Sequence, residues 1–461
     1  MLPLRHRIEQ RPLSEGGTLS EPSRTPDSPT IDLVVRMGDV VSRVRATIAA
    51  VASRPVGPVL FTLFVITRFL DIVLHPIPLS QREMVRVAFT FGSEGYLGNP
   101  YAALPTGVSA HVAPGYPIIL GTLFALVGDP DRTILYARYL VSVLVALQFA
   151  LLPAVAVRCG LRREHGLIAA LIALVPVVSW FETGATWETP WVSACLMLLL
   201  ALTLPVVRSG ALTVRRAVAL GLLWGIGFHF QPVLLPVFLG LLGLTAVRWR
   251  RRGAAFVARF ASTAVIVSLL VVTPYTLRNW QQLGGIVFIR DNFGLELAVS
   301  NNDVARPLLR DNMATGFKSH PTVNRAEATR VLQLGEIEYN RERAAEARNW
   351  IRAHPRAFAV LTAKRAFYLW FAHSDSPLLQ LMGWLVAVVA LIGLGMLWRA
   401  APLVAWCIAT VLVSYLLIYL LVAYDFRYIY PSSWLKFLLV SVVVCGAPVA
   451  SEKERYAPLT A

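Results

Sequence analysis

Long apolar segments recur along most of this chain, and each has about the length that crosses a lipid bilayer as a helix. About twenty helical residues span a hydrocarbon core of roughly 30 Å. We predict about ten such spans, near residues 57–75, 132–157, 164–181, 188–206, 214–230, 232–247, 255–274, 377–398, 402–422 and 431–448. The sequence therefore predicts an all-α polytopic membrane protein.

The composition argues against the soluble classes of protein. Of the 461 residues, 56% are hydrophobic and 15% are charged, whereas a soluble domain carries about 25% charged residues. The chain is thus too apolar for an ordinary water-soluble enzyme or a disordered protein. Its net charge of +16 suggests nucleic acid only in a soluble protein. Here most arginines lie between apolar runs as topology signals, so we predict no nucleic-acid partner.

Arginines in three short loops set the predicted orientation. These clusters lie within residues 158–163, 208–216 and 248–252. They fall on one side of the membrane only if Pro114–Val127 does not cross it, so we predict a re-entrant or interfacial helix there. Loops rich in Lys and Arg face the cytoplasm. Both termini are then cytoplasmic, and the protein is a multi-pass protein of the plasma or inner membrane.

The regions between the spans predict the domain organisation. Two charged or aromatic stretches, Asn324–His354 and Ala357–Phe371, predict helices lying on the external membrane face. The full division is a largely disordered cytoplasmic tail (1–56) with a possible surface helix at Ile31–Val51, a transmembrane module (57–274) that includes a first external loop (76–131), an external region with amphipathic helices (275–376), the C-terminal spans (377–448) and a short cytoplasmic tail (449–461).

Ionisable side chains at the ends of the spans gather on one predicted side. Charges at membrane depth are costly, so a set of both signs at one face predicts a polar cavity there. The four cysteines lie in or beside apolar runs and indicate neither a disulfide framework nor a zinc site. No acids and histidines have metal-like spacing, so we predict no bound metal and no cofactor. The ionisable residues that we predict on the external side are Asp71, Glu83, His111, Glu182, Glu188, His229, Arg278, Asp425 and Arg427.

Four groups of motifs, in order over about residues 60–445, resemble a known family. The first external loop carries Glu83-Met-Val-Arg86, Gly98-Asn-Pro-Tyr101 and Thr106 to Pro117; then come Ser179 to Pro190 with its Glu-Thr pair, Pro274-Tyr-Thr-Leu-Arg278-Asn279-Trp280 with Asn292-Phe-Gly294 and Ser300-Asn301-Asn302, and finally Asp425-Phe-Arg427-Tyr428 with Pro431. Together they resemble bacterial membrane glycosyltransferases with the GT-C fold. More narrowly, they resemble the family 39-like group, which includes protein O-mannosyltransferases, aminoarabinose transferases of lipid A and rhizobial lipopolysaccharide sugar transferases.

The resemblance implies a GT-C-like helical bundle and a chemistry. The donor would be a polyprenyl-phosphate-linked sugar, and the acceptor a hydroxyl of a glycan, lipid or protein. Glu83 would act as general base for a direct, inverting displacement. Glu188 would orient Glu83, hold sugar hydroxyls, or simply favour its helix N-terminus.

The resemblance also implies binding roles. Arg278 would bind the donor phosphate, with Arg427 as a second candidate. His111 and Tyr116 would line the sugar pocket. The remaining candidates are Asn279, Asn301 and Asn302, as sugar contacts, backbone contacts or turn formers.

Some positions depart from the family pattern and leave a second function open. Many members carry an Asp where this chain has Gln81, and often a Tyr where it has Met84. Gln231-Pro232 stands where an Arg-Pro is common. The alternative is a non-catalytic GT-C-like membrane protein that binds or moves a lipid-linked glycan. An ion-coupled transporter would want an acid at mid-membrane depth, and the sequence offers no strong candidate.

Overall fold

The computed structural model describes residues 29–76, 82–175, 187–315 and 319–448. These residues divide into two compact units, one ending at Thr47 and one beginning at Ile48. The first unit is the larger part of helix α1 (Pro29–Ala52). The surface helix predicted for Ile31–Val51 is therefore confirmed as a helix, and its place on a membrane stays a prediction.

The second unit is helical, with isolated β-bridges and no longer strands among its described residues. Its helices are α2 (Gly57–Leu74), α3 (Glu83–Glu94), α4 (Gly115–Val127), α5 (Pro130–Cys159), α6 (Arg163–Leu174), α7 (Thr189–Ser209), α8 (Val214–Phe230), α9 (Leu234–Trp249), α10 (Ala254–Leu283), α11 (Phe293–Ser300), α12 (Leu309–Thr315), α13 (Arg325–Leu334), α14 (Glu336–Ala353), α15 (Pro355–Phe371), α16 (Pro377–Ala400), α17 (Pro402–Leu416) and α18 (Phe426–Cys445).

Seven helices in the described residues are long and apolar enough to cross a membrane: α2, α5, α7, α10, α16, α17 with its 3₁₀ extension to Leu420, and α18. An all-α polytopic membrane protein is thus confirmed. The other predicted spans appear as the shorter helices α6, α8 and α9, of 12, 17 and 16 residues. Part of the predicted span at 164–181 lies outside the described residues. The total of ten spans stays a prediction.

Local sequence signals set the helix ends. Helix α5 starts after Asp129, whose side chain accepts the Arg132 backbone N–H at 2.7 Å, and Pro130 occupies its first turn. Both features are typical of a helix N-terminus. The helix ends at Gly160, which has a φ of 95°. Only glycine adopts that conformation readily, so the chain reverses there.

Glycines let several of these helices pack backbone to backbone. A side chain at Gly393 of α16 would overlap the Leu439 carbonyl group of α18. Helices α3 and α4 pair in the same way, because side chains at Gly92 and Gly121 would each overlap the facing backbone. Small residues at such crossings are a usual device of membrane helices. The position of α3, and of the residues it carries, is thereby fixed to α4.

Helix α4 is too short to cross the bilayer. Its 13 residues extend about 20 Å, which is less than the hydrocarbon core. This length agrees with the predicted re-entrant or interfacial helix at Pro114–Val127, on which the predicted sidedness depends. The sidedness itself is not tested by the structure.

The external region departs from the predicted pattern in two places. The single charged helix expected over 324–354 is two helices, α13 and α14, because Gly335 between them takes a φ of 77°. The helix expected to lie on the surface at Ala357–Phe371 is present as α15, but it is not solvated all round. Arg365 on α15 is 0% exposed, whereas the neighbouring Lys364 is exposed.

Candidate functional site

Glu83 stands at the first residue of α3 and meets two histidines from distant parts of the chain. Its Oε1 accepts a hydrogen bond from the Thr322 hydroxyl at 2.5 Å and lies 3.9 Å from the His320 Nε2. His111 completes the group, in which the potential ligand atoms of the three side chains all lie within 4.8 Å of one another. We refer to Glu83, His111 and His320 as the Glu-His-His cluster.

Neighbouring groups fix the two imidazoles of the cluster. The His111 Nδ1 lies 3.2 Å from the hydroxyl of Tyr101, which is fully buried. The His111 carbonyl accepts a hydrogen bond from the Arg290 Nε at 2.9 Å. The Thr322 backbone N–H donates to the His320 Nδ1 at 3.1 Å. The ring nitrogen of His320 that approaches Glu83 is Nε2, and in His111 the nitrogen that faces Tyr101 is Nδ1.

The surroundings set the charges of the cluster. Burial favours the protonated form of Glu83, but the two imidazoles, which become protonated at low pH, and the Thr322 hydroxyl outweigh it. With a further contribution from Arg427, they lower the pKa of Glu83 to about 2. Burial lowers the pKa of His111 to about 3, and it lowers the pKa of His320 as well. At neutral pH the cluster is thus one carboxylate with two neutral imidazoles.

Such a set of groups has two chemical uses. The carboxylate can accept a proton from a hydroxyl that approaches it. The two imidazoles and the carboxylate are also suitable ligands for a divalent metal ion. We predicted no metal because no acids and histidines have metal-like spacing along the sequence. The fold brings His320, which is distant in sequence, close to Glu83, so sequence spacing does not decide whether a metal binds here.

A second group, beside the cluster, carries positive charge. The Arg427 guanidinium lies 3.9 Å from the centre of the Trp187 ring, and the Arg82 guanidinium lies 4.6 Å from it. Burial, followed by Arg427, lowers the pKa of Arg82, while Asp425 and Glu83 oppose the shift. The Trp187 indole thus contacts two guanidinium groups. These two groups interact electrostatically with each other and with Glu83.

Arg427 is held by its helix but has capacity left. Asp425 caps α18 and accepts the Arg427 backbone N–H at 3.0 Å. The guanidinium donates to the Tyr428 hydroxyl at 3.1 Å, and its Nε lies 4.0 Å from an Asp425 carboxylate oxygen. This Nε is buried without a hydrogen-bond partner among the described residues. A buried guanidinium with an unused donor is suited to an anionic ligand.

Glu188 lies immediately before α7 and is 6% exposed. Its Oε1 accepts a hydrogen bond from the Gln231 side chain at 3.2 Å. Its Oε2 is buried and has no hydrogen-bond partner in the described part of the chain. Glu188 makes no capping hydrogen bond to its helix, and it is near enough to interact electrostatically with Arg427 and Tyr116. Glu188 and Arg427 therefore belong to one polar region.

Arg278 is engaged differently from its predicted role. Its guanidinium donates to the carbonyl oxygens of Ser109 and Leu97, at 3.1 and 2.9 Å, and to the Asn279 side chain at 2.8 Å. The Asn279 amide in turn donates to the Val287 carbonyl at 2.9 Å. Both residues tie the first external loop and the turn after α10 to the end of that helix. No described contact joins Arg278 to Glu83 directly.

The remaining candidates also make contacts within the protein. The Asn301 amide donates to the Leu297 and Leu421 carbonyls and its Oδ1 accepts from Arg365, while the Asn302 amide donates to the Ala298 and Val299 carbonyls. These are the backbone contacts that the sequence left open as one reading. Tyr116 is 1% exposed and lies 6.2 Å from the Trp191 ring. Gln81 and Glu182 lie outside the described residues.

Sequence reasoning missed His320, Thr322 and Arg82. His320 and Thr322 lie in a stretch without a helical or family pattern, and Arg82 is not among the predicted site residues. Comparison with known proteins adds no family: no protein-family model matches the chain, and no curated protein matches it.

Proposed function

We propose that this protein is a membrane glycosyltransferase that moves a sugar from a polyprenyl-phosphate donor to a hydroxyl acceptor at the external face of the plasma or inner membrane. The observation that carries the proposal is that Glu83 and Glu188 both lie near enough to Arg427 to interact with its charge. The motif resemblance supports it, and the helical membrane architecture provides the setting that a lipid-linked donor needs.

The donor phosphate is assigned to Arg427, with Arg82 beside it. As the bond between the anomeric carbon and the phosphate oxygen breaks, the oxygen keeps the electron pair and its negative charge grows. Guanidinium groups stabilise such charge through directed hydrogen bonds. Arg427 takes this role in place of Arg278, because Arg278 already binds two backbone carbonyls.

Glu83 is assigned as the general base. The acceptor oxygen forms a bond to the anomeric carbon on the face opposite the leaving phosphate, and its proton passes to the Glu83 carboxylate. A pKa of about 2 makes Glu83 a weak base toward a free hydroxyl. The hydroxyl becomes strongly acidic as its oxygen bonds to carbon, so the transfer takes place late in the displacement.

Glu188 is assigned to the sugar. Its Oε2 is a buried acceptor without a partner among the described residues, and leaving such an atom unpaired costs free energy. A sugar hydroxyl that donates to this oxygen would remove the cost on binding. The proposal thus assigns recognition of the donor sugar to Glu188.

A non-catalytic protein that binds or moves a lipid-linked glycan is the second candidate. One observation favours it: Glu83 already accepts a hydrogen bond from Thr322, and its low pKa weakens it as a base. The two candidates differ in whether the carboxylate is needed for transfer or only the arginines for binding.

The deciding experiment compares envelope glycans and donor turnover for Glu83→Gln and Glu94→Gln. Both acids lie on α3, and Glu94 is exposed at its far end. We expect Glu83→Gln to abolish transfer at unchanged expression, and Glu94→Gln to transfer normally. Full activity of Glu83→Gln would refute the base role. Envelope glycans that are unchanged when the whole protein is removed would refute the transferase.

A further inference from the structure

We propose that Glu83, His111 and His320 bind a divalent metal ion of the zinc type. This site goes beyond the proposed function and does not depend on it, because its ligands are defined by the fold and can be tested without any sugar substrate.

The geometry of the Glu-His-His cluster is close to that of a metal site. All three ligand atoms lie within 4.8 Å of one another, and the His320 Nε2 is 3.9 Å from the Glu83 Oε1. Ligands about 2.0–2.2 Å from a tetrahedral zinc ion are separated by about 3.4 Å. Closing the His320–Glu83 pair from 3.9 Å requires a shift of about 0.5 Å, and a pair at the 4.8 Å limit requires about 1.4 Å. Rotations of the three side chains can share this movement without moving a helix.

Groups behind the ligands hold them toward the centre. The Tyr101 hydroxyl meets the Nδ1 of His111, so the ring presents its Nε2. The Thr322 hydroxyl holds one oxygen of Glu83. Partners of this kind orient metal ligands in known sites. At His320, an ion on Nε2 places the ring proton on Nδ1, and the hydrogen bond from the Thr322 N–H is given up. The loss of one neutral hydrogen bond is small beside a metal–imidazole bond.

The donor atoms select the class of ion. Two imidazoles with one carboxylate suit zinc and its neighbours, whereas magnesium and calcium prefer oxygen ligands. The ligands bind in their deprotonated forms, which here are one carboxylate and two neutral imidazoles. Three protein ligands leave a fourth position, which a water molecule or a substrate oxygen can take.

The ion would join three separate segments, two in the first external loop and one in the external region. Glu83 begins α3, His111 lies in the loop before α4, and His320 precedes α13. An ion between them therefore ties the external region to the helix that carries Glu83. We expect bound metal to raise the thermal stability of the whole protein.

The experiment uses the full chain, purified in detergent with a tag that contains no histidine and stripped with a chelator. Zn²⁺ alone is titrated back while metal content and melting temperature are measured, and Co²⁺ serves as a spectroscopic probe of the ligand field. The test variant is His320→Asn, whose Oδ1 can replace the Nδ1 as acceptor for Thr322 while the Nε2 is lost. The control is His373→Asn, at a histidine of the external region outside the cluster.

We expect the wild type and His373→Asn to bind Zn²⁺ at about one ion per chain and to gain stability. His320→Asn should bind at least about tenfold more weakly, since changes behind the ligands alone cost about 10–100-fold. Glu83→Gln, of similar volume, provides the second variant if His320→Asn does not fold. A wild type without saturable Zn²⁺ or Co²⁺ binding, or equal binding by the folded cluster variants, would overturn the site. Loss of sugar transfer with metal binding intact would concern only the proposed function.

Discussion

Arg365 offers a sharp test of how the external region is attached to the membrane helices. Its side chain is 0% exposed on α15. One terminal nitrogen donates to the Asn301 Oδ1 and to the Leu421 carbonyl, both at 3.1 Å, and the other donates to the Ser300 carbonyl. One guanidinium thereby joins α11, α15 and the segment before α18.

Replacing Arg365 with methionine keeps much of the side-chain length and removes every donor. The acceptors left behind are buried, and hydrogen bonds from a charged group contribute about 1.5–3 kcal/mol each. The contributions of these hydrogen bonds are not additive. Burial lowers the pKa of Arg365 to about 10, so part of the free energy gained from the hydrogen bonds offsets the cost of burying the charge. We therefore expect Arg365→Met to lower the free energy of unfolding by about 3–5 kcal/mol, because three buried acceptors lose their donor.

The assay is thermal unfolding in detergent micelles, followed by tryptophan fluorescence. For a chain of this length the loss corresponds to a fall in apparent melting temperature of roughly 3–10 °C. The matched control is Lys364→Met, because Lys364 is the exposed neighbour on the same helix and such a change costs within about 0.5 kcal/mol. If Arg365→Met melts no lower than Lys364→Met, the guanidinium does not hold these segments together.

Two further predictions concern a buried acid and a helix crossing. Burial raises the pKa of Glu336 to about 8, against the opposing hydrogen bonds from Ser109 and Ala110. The folded state then binds a proton that the unfolded state has lost, so stability should fall as the pH rises from about 4.5 to 8, by a few kcal/mol in all. Thermal unfolding across this range should show a flatter dependence for Glu336→Gln, and an equally steep one would disprove the assignment. Gly393→Ala should destabilise by about 1–3 kcal/mol, because the added methyl overlaps the backbone of α18. Gly395→Ala, where the new methyl meets no neighbour, should not; equal melting temperatures would contradict the close crossing.

Most of the membrane architecture could be predicted because hydropathy is a local property. Each long apolar run is visible without knowledge of its neighbours, and seven of the predicted spans are helices of sufficient length. The break at Gly335 was missed because the amphipathic pattern continues across it. The burial of Arg365 was missed because an arginine between aromatic residues resembles a membrane-surface residue, and only its hydrogen-bond partners on other segments show otherwise.

The candidate site was less predictable because it joins residues far apart in sequence. The family resemblance drew attention to Glu83, Glu188 and Arg427, which the fold brings into one region. It could not indicate that the partner of Glu83 is Thr322, 239 residues away. Arg278 was assigned to the phosphate because of its motif. In the structure its guanidinium donates to carbonyl oxygens of the first external loop. These contacts depend on the conformation of the loop, so the residue type alone could not predict them.

The glycine pair between α3 and α4 bears on how this protein could change during evolution. Because Gly92 and Gly121 allow direct backbone contact, the backbone of α3 cannot shift along α4 without losing this contact. For the proposed transferase, room for a bulkier acceptor would then be sought opposite that pair, in the turn that carries His320 and Thr322. Divergence in substrate preference among descendants of this chain should therefore accumulate in that turn, while both glycines are retained.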